Sequence, residues 1–306
     1  MTRAHRLAAA LALLAVSGLT ACSGSAASGG TPEVVVTTNI LGDVVGAVAG
    51  EEAQVTTLMK PDADPHSFAI SAQEAARLAA ADLVVSNGLG LEEGMQQHLD
   101  RAAAGGTRML AAGDVVGVLP YGSGDAAGAP DPHFWTDPAR MTGFVDALER
   151  ELTGIDGIDD AAIRTNADAY RAELASLDED MSSAFDALPQ ERKALVTNHH
   201  VFGYLADRFS LRVVGAVIPG GTTLAAPSAA DLRDLATAIR SAGVRTIFAE
   251  SSQPDRLMQV LAEEAGVDVD VVQLYTESLT APGGGADTYL TMMRANTERI
   301  LQGLTR

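Results

Sequence analysis

The sequence predicts an α/β protein of two lobes, each a mostly parallel sheet flanked by helices. Short β-branched runs alternate with helical segments in both halves of the chain, which is typical of parallel sheets. Between the halves, apolar residues recur every three or four positions over about 25 residues that include no Gly or Pro. We therefore expect one long helix to connect the two lobes.

The first 21 residues have the pattern of a signal for export. Two arginines precede an apolar segment, 7–19, which is too short to span a membrane. The segment runs into Leu-Thr-Ala-Cys ending at Cys22, which resembles a bacterial lipobox and implies lipid attachment to that sulfur. Residues 22–32 are rich in Ser, Gly and Ala and predict a flexible tether. We expect an extracytoplasmic protein, anchored to the cell membrane by its lipidated N-terminal cysteine.

The first lobe is assigned to residues 33–155. Strands are predicted at 34–39, 54–59 and 83–85, and helices at 40–48, 71–81 and 91–103. Ser71 and Glu74 have the spacing of a capping box, which marks the start of the second of these helices. A loop rich in Gly and Ala, 121–130, leads into the last part of the lobe.

The long helix is assigned to residues 156–188 and the second lobe to residues 189–306. Strands of this lobe are predicted at 194–197, 212–218, 246–250 and 269–275. Its helices are predicted at 202–209, from 228 onward, at 254–265 and at 288–304. Alternation of strand and helix again predicts a parallel sheet.

The charge of the chain argues against nucleic acid as a partner. Without residues 1–21, which include two basic and no acidic side chains, 40 acidic residues stand against 19 basic ones, a net charge of −21. Binding to phosphate backbones requires a basic surface instead. Neither lysine follows a glycine, so the chain has no phosphate-binding loop of the ATPase type.

Three histidines in separate segments predict a metal site. His66 and His133 share the local sequence Asp-Pro-His, and His199 follows an apolar run. These three residues and Glu277 each come after a strand or strand-like run, two before the long helix and two after it. Because ligands of α/β proteins bind at the carboxyl ends of strands, we expect the four side chains to meet in the cleft between the lobes. Neutral imidazole is the commonest protein ligand for metals.

Four motifs resemble those of the zinc- and manganese-binding solute-binding lipoproteins of ABC importers, the periplasmic zinc-uptake and TroA-like proteins. They are PDADPHSF at 61–68, DPHFWTDP at 131–138, LVTNHHVFGY at 195–204 and LYTES at 274–278. The resemblance extends over essentially the whole mature sequence, and it implies that His66, His133 and His199 are metal ligands. The fourth ligand of the family is usually Asp. Here it is Glu277, which is one methylene longer and can bind through one oxygen or both.

Two further histidines compete for a role in the site. Neighbouring residues of an extended segment point in opposite directions, so only one of His199 and His200 is expected to face the metal. The resemblance selects His199. His98 lies on a predicted helix among polar residues, where a surface position is expected.

Several residues beside the predicted ligands are candidates for supporting roles. Asp64 and Asp131 are expected to orient their loops through hydrogen bonds within turns. Glu250 is either a carboxylate that supports a ligand or simply an acid at the end of a strand. Trp135, the only tryptophan, is expected to pack beside the site.

Three imidazoles and one carboxylate suit four-coordinate Zn²⁺, whereas Mn²⁺ prefers more oxygen ligands. In the family that the motifs resemble, a histidine as third ligand is associated with zinc. The resemblance implies a receptor, not an enzyme, that captures Zn²⁺ and delivers it to a membrane permease powered by a separate ATPase chain. The alternatives are a manganese receptor of the same type, an exported zinc-dependent hydrolase and a surface adhesin.

Overall fold

The computed structural model describes residues 30–218, 220–252, 255–266 and 269–306. The predicted export signal, Cys22 and nearly all of the predicted tether lie outside the described residues. Every helix and strand of the described residues belongs to one compact unit, Thr31–Arg306. Within the described ranges, none of the helices combines the length and the apolar composition that a membrane span requires.

Four parallel strands form the sheet of the first half. The elements are β1 (Glu33–Val36), α1 (Asn39–Ala49), β2 (Gln54–Thr57), α2 (Ala72–Ala80), β3 (Leu83–Ser86), α3 (Gln96–Ala104) and β4 (Met109–Ala111). The strand order is β2-β1-β3-β4, with every pair parallel. The capping box of Ser71 and Glu74 begins α2, because each side chain binds the backbone N–H of the other residue.

Two elements of this half differ from the prediction. The sequence predicts no strand at Met109–Ala111, which has only three residues and no β-branched side chain, but the structure forms one there. The helix predicted from Leu91 begins at Gln96 instead. Glu92 is fully buried, and its carboxylate accepts hydrogen bonds from the hydroxyl of Thr37 and from the backbone N–H groups of the two residues after β3, at 2.6–3.1 Å. That inward-facing carboxylate holds the chain in a turn before the helix.

Two helices follow the loop rich in Gly and Ala. The first, α4 (Pro138–Leu152), was not predicted, although Asp137 caps it and proline occupies its first turn. The second, α5 (Asp160–Asp186), has 27 residues and confirms the predicted long helix. Its buried side chains are apolar and recur every three or four positions, as the sequence pattern predicts.

The second half repeats the parallel arrangement. Its elements are β5 (Ala194–Thr197), α6 (Gly203–Phe209), β6 (Arg212–Ala216), α7 (Ala229–Ala242), β7 (Thr246–Glu250), α8 (Arg256–Ala265), β8 (Asp270–Leu274) and α9 (Tyr289–Leu304). The strand order is β6-β5-β7-β8. The two sheets and the long helix confirm the predicted fold class.

The central strands of each sheet are buried on both faces, as their apolar sequences predict. Because side chains alternate along a strand, Val34 and Val36 face one cluster of buried residues while Val35 faces another. In the second sheet, Leu195 and Val196 divide in the same way. One large cluster includes residues of both sheets and the buried side chains of α1, α4, α5 and α9. The two halves therefore share a continuous core, and α5 contacts helices of both.

Candidate metal centre

The loop after β2 presents His66 through hydrogen bonds that its own sequence encodes. Asp64 Oδ1 accepts the backbone N–H of His66 at 2.9 Å, and the hydroxyl of Ser67 donates to Asp64 Oδ2 at 3.1 Å. These short-range bonds form the turn predicted for Asp64. His66 is 1% exposed, so its ring lies in the protein interior.

His133 is held by the same local arrangement and by one additional bond. Asp131 Oδ1 accepts both the backbone N–H of His133, at 3.0 Å, and its ring Nδ1–H, at 2.7 Å. The second bond leaves Nε2 as the ring atom that faces the centre. Gly203 lies against this carboxylate, since a Cβ there would be 2.6 Å from Asp131 Oδ2.

His199 comes from the carboxyl end of β5 in the second sheet. The hydroxyl of Thr197 donates to the backbone carbonyl of His199 at 2.7 Å, which fixes the chain just after the strand. On the far side of the ring, Glu250 Oε2 lies 3.5 Å from Nδ1. Glu250 therefore lies next to the ring nitrogen of His199 that faces away from the centre. This is the position expected of a carboxylate that supports a ligand.

Glu277 follows β8 but is held mainly by the first half of the chain. Asn39, at the start of α1, accepts the backbone N–H of Leu279 at 2.9 Å and donates to the hydroxyl of Ser278 at 2.8 Å. The indole of Trp135 donates to the carbonyl of Thr276 at 2.9 Å. Residues on both sides of Glu277 are therefore hydrogen-bonded to the first half.

The four predicted ligands meet in the cleft between the carboxyl edges of the two sheets. Nε2 of each of His66, His133 and His199 lies 3.1 Å from Glu277 Oε1. The four ligand atoms all lie within 4.8 Å of one another, and all four residues are buried. This is the convergence that the strand-end positions predict.

One oxygen cannot satisfy three imidazoles by hydrogen bonding, because a carboxylate oxygen offers about two lone-pair sites. A cation between the four atoms would be bound by all of them. Ligand atoms around four-coordinate zinc lie about 3.3 Å apart, given bonds of about 2.0–2.1 Å, and the 3.1 Å spacing here is close to that. Glu277 Oε2 is buried without a hydrogen-bond partner in the described structure and is available as a second ligand oxygen.

The surroundings of the cluster favour the anionic form of Glu277 and the cationic form of His133. Burial alone would raise the pKa of Glu277, but the neighbouring His199, His133 and His66 hold that pKa well below its usual value. Burial disfavours the charged form of His133, yet Asp131 and Glu277 raise its pKa to about 9. Burial lowers the pKa of His199. The site is thus an anionic carboxylate enclosed by imidazoles.

The remaining candidates lie outside the group of four. His200 is half-buried with its ring 6.5 Å from Tyr121, and His98 is half-buried on α3. Among the described residues, neither belongs to the group of side chains that could bind a metal ion. Trp135 is 2% exposed and its ring lies 5.3 Å from that of His133, so it packs beside the site as expected.

Several residues that shape the site could not be predicted from the local sequence. Asn39 gave no signal beyond ending a predicted strand, because its partner Leu279 is 240 positions away. Tyr121 donates to the carbonyl of Gly221 at 3.0 Å, and Thr223 donates to Asp64 at 2.6 Å. These contacts join distant segments, and no local pattern in the sequence marks them.

Replacing Asp131 by Asn is expected to weaken metal binding by about 10- to 100-fold, the usual effect of removing a carboxylate behind a ligating imidazole. The amide keeps the shape of the side chain but not its charge, so the orientation and basicity of His133 suffer. A competition titration with a chelating dye measures the change. Asp125→Asn, an exposed position in the loop 121–130, is the matched control. Equal affinities for the wild type and Asp131→Asn would contradict this role.

Comparisons with known proteins agree with the fold. The family described as zinc-uptake complex component A, periplasmic, matches residues 34–303. The zinc-binding protein TroA of Treponema pallidum is 30% identical over 312 residues, covering 100% of both chains. The manganese ABC transporter substrate-binding lipoprotein PsaA of Streptococcus pneumoniae is 27% identical over 311 residues, covering 98% of this chain and 99% of its own.

Two solved structures show the same architecture. The periplasmic zinc-binding protein TroA from Treponema pallidum superposes with a TM-score of 0.84 at 28% identity, covering 90% of this chain and 100% of the other. A manganese-bound periplasmic metal-binding protein from Candidatus Liberibacter asiaticus gives 0.78 at 26% identity, covering 89% and 99%. Since the family match extends over nearly the whole described chain, the protein belongs to the family of zinc-uptake complex component A, periplasmic.

Proposed function

We propose that this protein is an extracytoplasmic receptor that binds one Zn²⁺ through His66, His133, His199 and Glu277 and delivers it to the permease of an ABC importer. The observation that carries the proposal is the convergence of three buried Nε2 atoms on one buried carboxylate oxygen. Four protein ligands form a closed shell, which suits capture of an ion.

Zinc is the proposed ion because three nitrogen ligands and one carboxylate match its four-coordinate chemistry. Manganese is the alternative, since Mn²⁺ favours oxygen ligands and a higher coordination number. Glu277 binding through both oxygens would move the site toward manganese. The relatives include proteins named for zinc and for manganese, so they do not decide between the two.

A receptor fits the site better than a zinc-dependent hydrolase. Catalytic zinc keeps one position open for water. Here Glu277 Oε1 lies at the same 3.1 Å distance from all three imidazoles and takes the fourth position. Nothing in the described residues favours the adhesin alternative.

The location and the partners of the receptor belong to the same proposal. Cleavage before Cys22 and lipidation of its sulfur would anchor the protein at the outer face of the cell membrane. Relatives are named as substrate-binding lipoproteins of ABC transporters, which supports a permease and a separate ATPase as partners. We also propose the division into lobes at 33–155 and 189–306, joined through 156–188.

Uptake of radioactive zinc by cells that lack this protein tests the proposal. The wild-type gene is expected to restore uptake, and His133→Ala is expected to abolish the restoration because one of four ligands is missing. His98→Ala, on the half-buried face of α3, is the matched control and should restore uptake fully. Full restoration by His133→Ala would contradict the proposed site, and restored uptake of manganese alone would favour the alternative ion.

A further inference from the structure

One hydrogen bond links the two halves of the chain directly behind a metal ligand. The hydroxyl of Thr223, in the connection between β6 and α7, donates to Asp64 Oδ2 at 2.6 Å. The other oxygen of the same carboxylate accepts the backbone N–H of His66. Thr223 lies in the second half of the chain. It thus contacts the Asp64 carboxylate, which fixes the loop of His66 in the first half.

A second contact beside it joins the same segment to the loop of His133. Tyr121 donates its hydroxyl to the carbonyl of Gly221 at 3.0 Å, and the same hydroxyl lies 3.5 Å from His133 Nδ1. A Cβ at Gly221 would lie 2.3 Å from the Tyr121 oxygen, so this close approach requires glycine. The segment 220–224 therefore reaches both histidine loops of the first half.

The segment starts next to the third histidine. The backbone N–H of Val217 donates to the carbonyl of Thr197 at 2.9 Å, and that of Ile218 donates to Asn198 at 2.7 Å. The chain beside His199 is thereby hydrogen-bonded to the residues that lead into the segment. A displacement of His199 away from the centre would carry these residues with it and strain the bond between Thr223 and Asp64.

The other ligand from the second half is held from across the cleft. Glu277 is flanked by Thr276 and Leu279, which bind Trp135 and Asn39 of the first half. The segment after His199 also binds the first half, since the hydroxyl of Tyr204 donates to the carbonyl of Asp131 at 2.7 Å. Both ligands of the second half are therefore held by bonds that cross the cleft. The bond made by Thr223 crosses the same cleft.

We infer that Thr223 is a positioning residue that holds the His66 loop from across the cleft and sets the rate at which the metal leaves the site. This inference rests on the proposed function. Loss of one hydrogen bond to a charged group corresponds to about a tenfold change in an equilibrium or rate. We expect that change in the dissociation rate, because the bond must break before the two halves can separate at the site. The association rate should change little.

The test compares Thr223→Val, which keeps the shape but removes the hydroxyl, with Thr223→Ser, which keeps the hydroxyl. Both are made in the chain lacking residues 1–22, which retains the compact unit Thr31–Arg306. The protein is loaded with Zn²⁺, and dissociation is followed in a stopped-flow instrument after addition of excess chelator. Thr223→Val should release zinc about tenfold faster, and Thr223→Ser should release it at the wild-type rate.

Two controls separate this role from a structural one. Thr222→Val removes a neighbouring hydroxyl that accepts the N–H of Leu224 within the same segment, and it should leave the dissociation rate unchanged. Unfolding of metal-free Thr223→Val, followed by circular dichroism, should remain cooperative, which shows that the variant is folded at the temperature of the rate measurement.

Three results would overturn the inference alone, with zinc binding by the wild type intact. They are an unchanged rate in Thr223→Val, a rate in Thr223→Ser as fast as that in Thr223→Val, and a rate in Thr222→Val as fast as that in Thr223→Val. A wild-type protein that binds neither Zn²⁺ nor Mn²⁺ would overturn the proposed function and this inference with it.

Discussion

Replacing His199 by alanine is expected to lower the affinity for zinc more than about 100-fold, since even partners behind a ligand contribute 10- to 100-fold. Its Nε2 lies 3.1 Å from Glu277 Oε1, and the side chain is fully buried. Alanine would leave three ligands and a buried gap. The metal would then need a water molecule as its fourth ligand, in a site that is buried from solvent.

The adjacent His200→Ala is the matched control and should change the affinity by no more than about threefold, because this half-buried ring lies outside the group of four. The ring of His200 lies beside Tyr121 in an open part of the cleft and outside the group of four. Fluorescence of Trp135, which packs 5.3 Å from the ring of His133, offers a direct signal of binding. A larger loss in His200→Ala than in His199→Ala would show that the wrong histidine has been assigned.

Replacing Glu277 by Gln is expected to reduce zinc affinity by more than about 100-fold as well. The carboxylate is the only anionic ligand of the four, and it is 1% exposed. In such a buried site, a neutral amide cannot compensate the charge of a divalent ion that has lost its water. The loss should appear for both Zn²⁺ and Mn²⁺, because it concerns charge and not ligand type.

Glu93→Gln is the control for this change of charge. Its carboxylate lies 3.9 Å from His66 Nδ1, but its side chain is 45% exposed. Solvent screens such a charge, so the affinity should stay within about threefold of the wild type. Isothermal titration of both variants measures the difference. Near-equal effects of the two substitutions would indicate long-range charge attraction in place of direct coordination.

The parts of the site that local sequence could predict are those built from short-range bonds. Asp64 and Asp131 each bind the backbone N–H of the histidine two residues later, and this is why the repeated Asp-Pro-His predicted two similar loops. His199 and Glu277 were predicted from strand ends, since parallel strands place their following residues at one edge. The structure brings all four together.

Other features depended on contacts between distant residues and had no local signature. Asn39 and Leu279 are 240 positions apart, and Thr223 and Asp64 are 159 positions apart. The late start of α3 follows from the burial of Glu92, which a helical pattern of apolar residues does not reveal. By contrast, Asp137 and Pro138 form a start signal for α4, and the helix could have been predicted from them.

The shared core limits how far the two halves can move apart. Buried residues of both sheets belong to one cluster with α1, α4, α5 and α9. Wide opening of the halves would expose this apolar surface to water at a high cost in free energy. Metal release by a small displacement of His199 is consistent with such a core.

A competitive calorimetric titration of the chain lacking residues 1–22 with Zn²⁺ and Mn²⁺ at neutral pH tests the central claim most directly. The proposed receptor should bind one zinc ion tightly per chain and manganese much more weakly. Tighter binding of manganese would contradict the choice of zinc and assign the protein to manganese import. Absence of a stoichiometric site for either ion would contradict the metal centre itself.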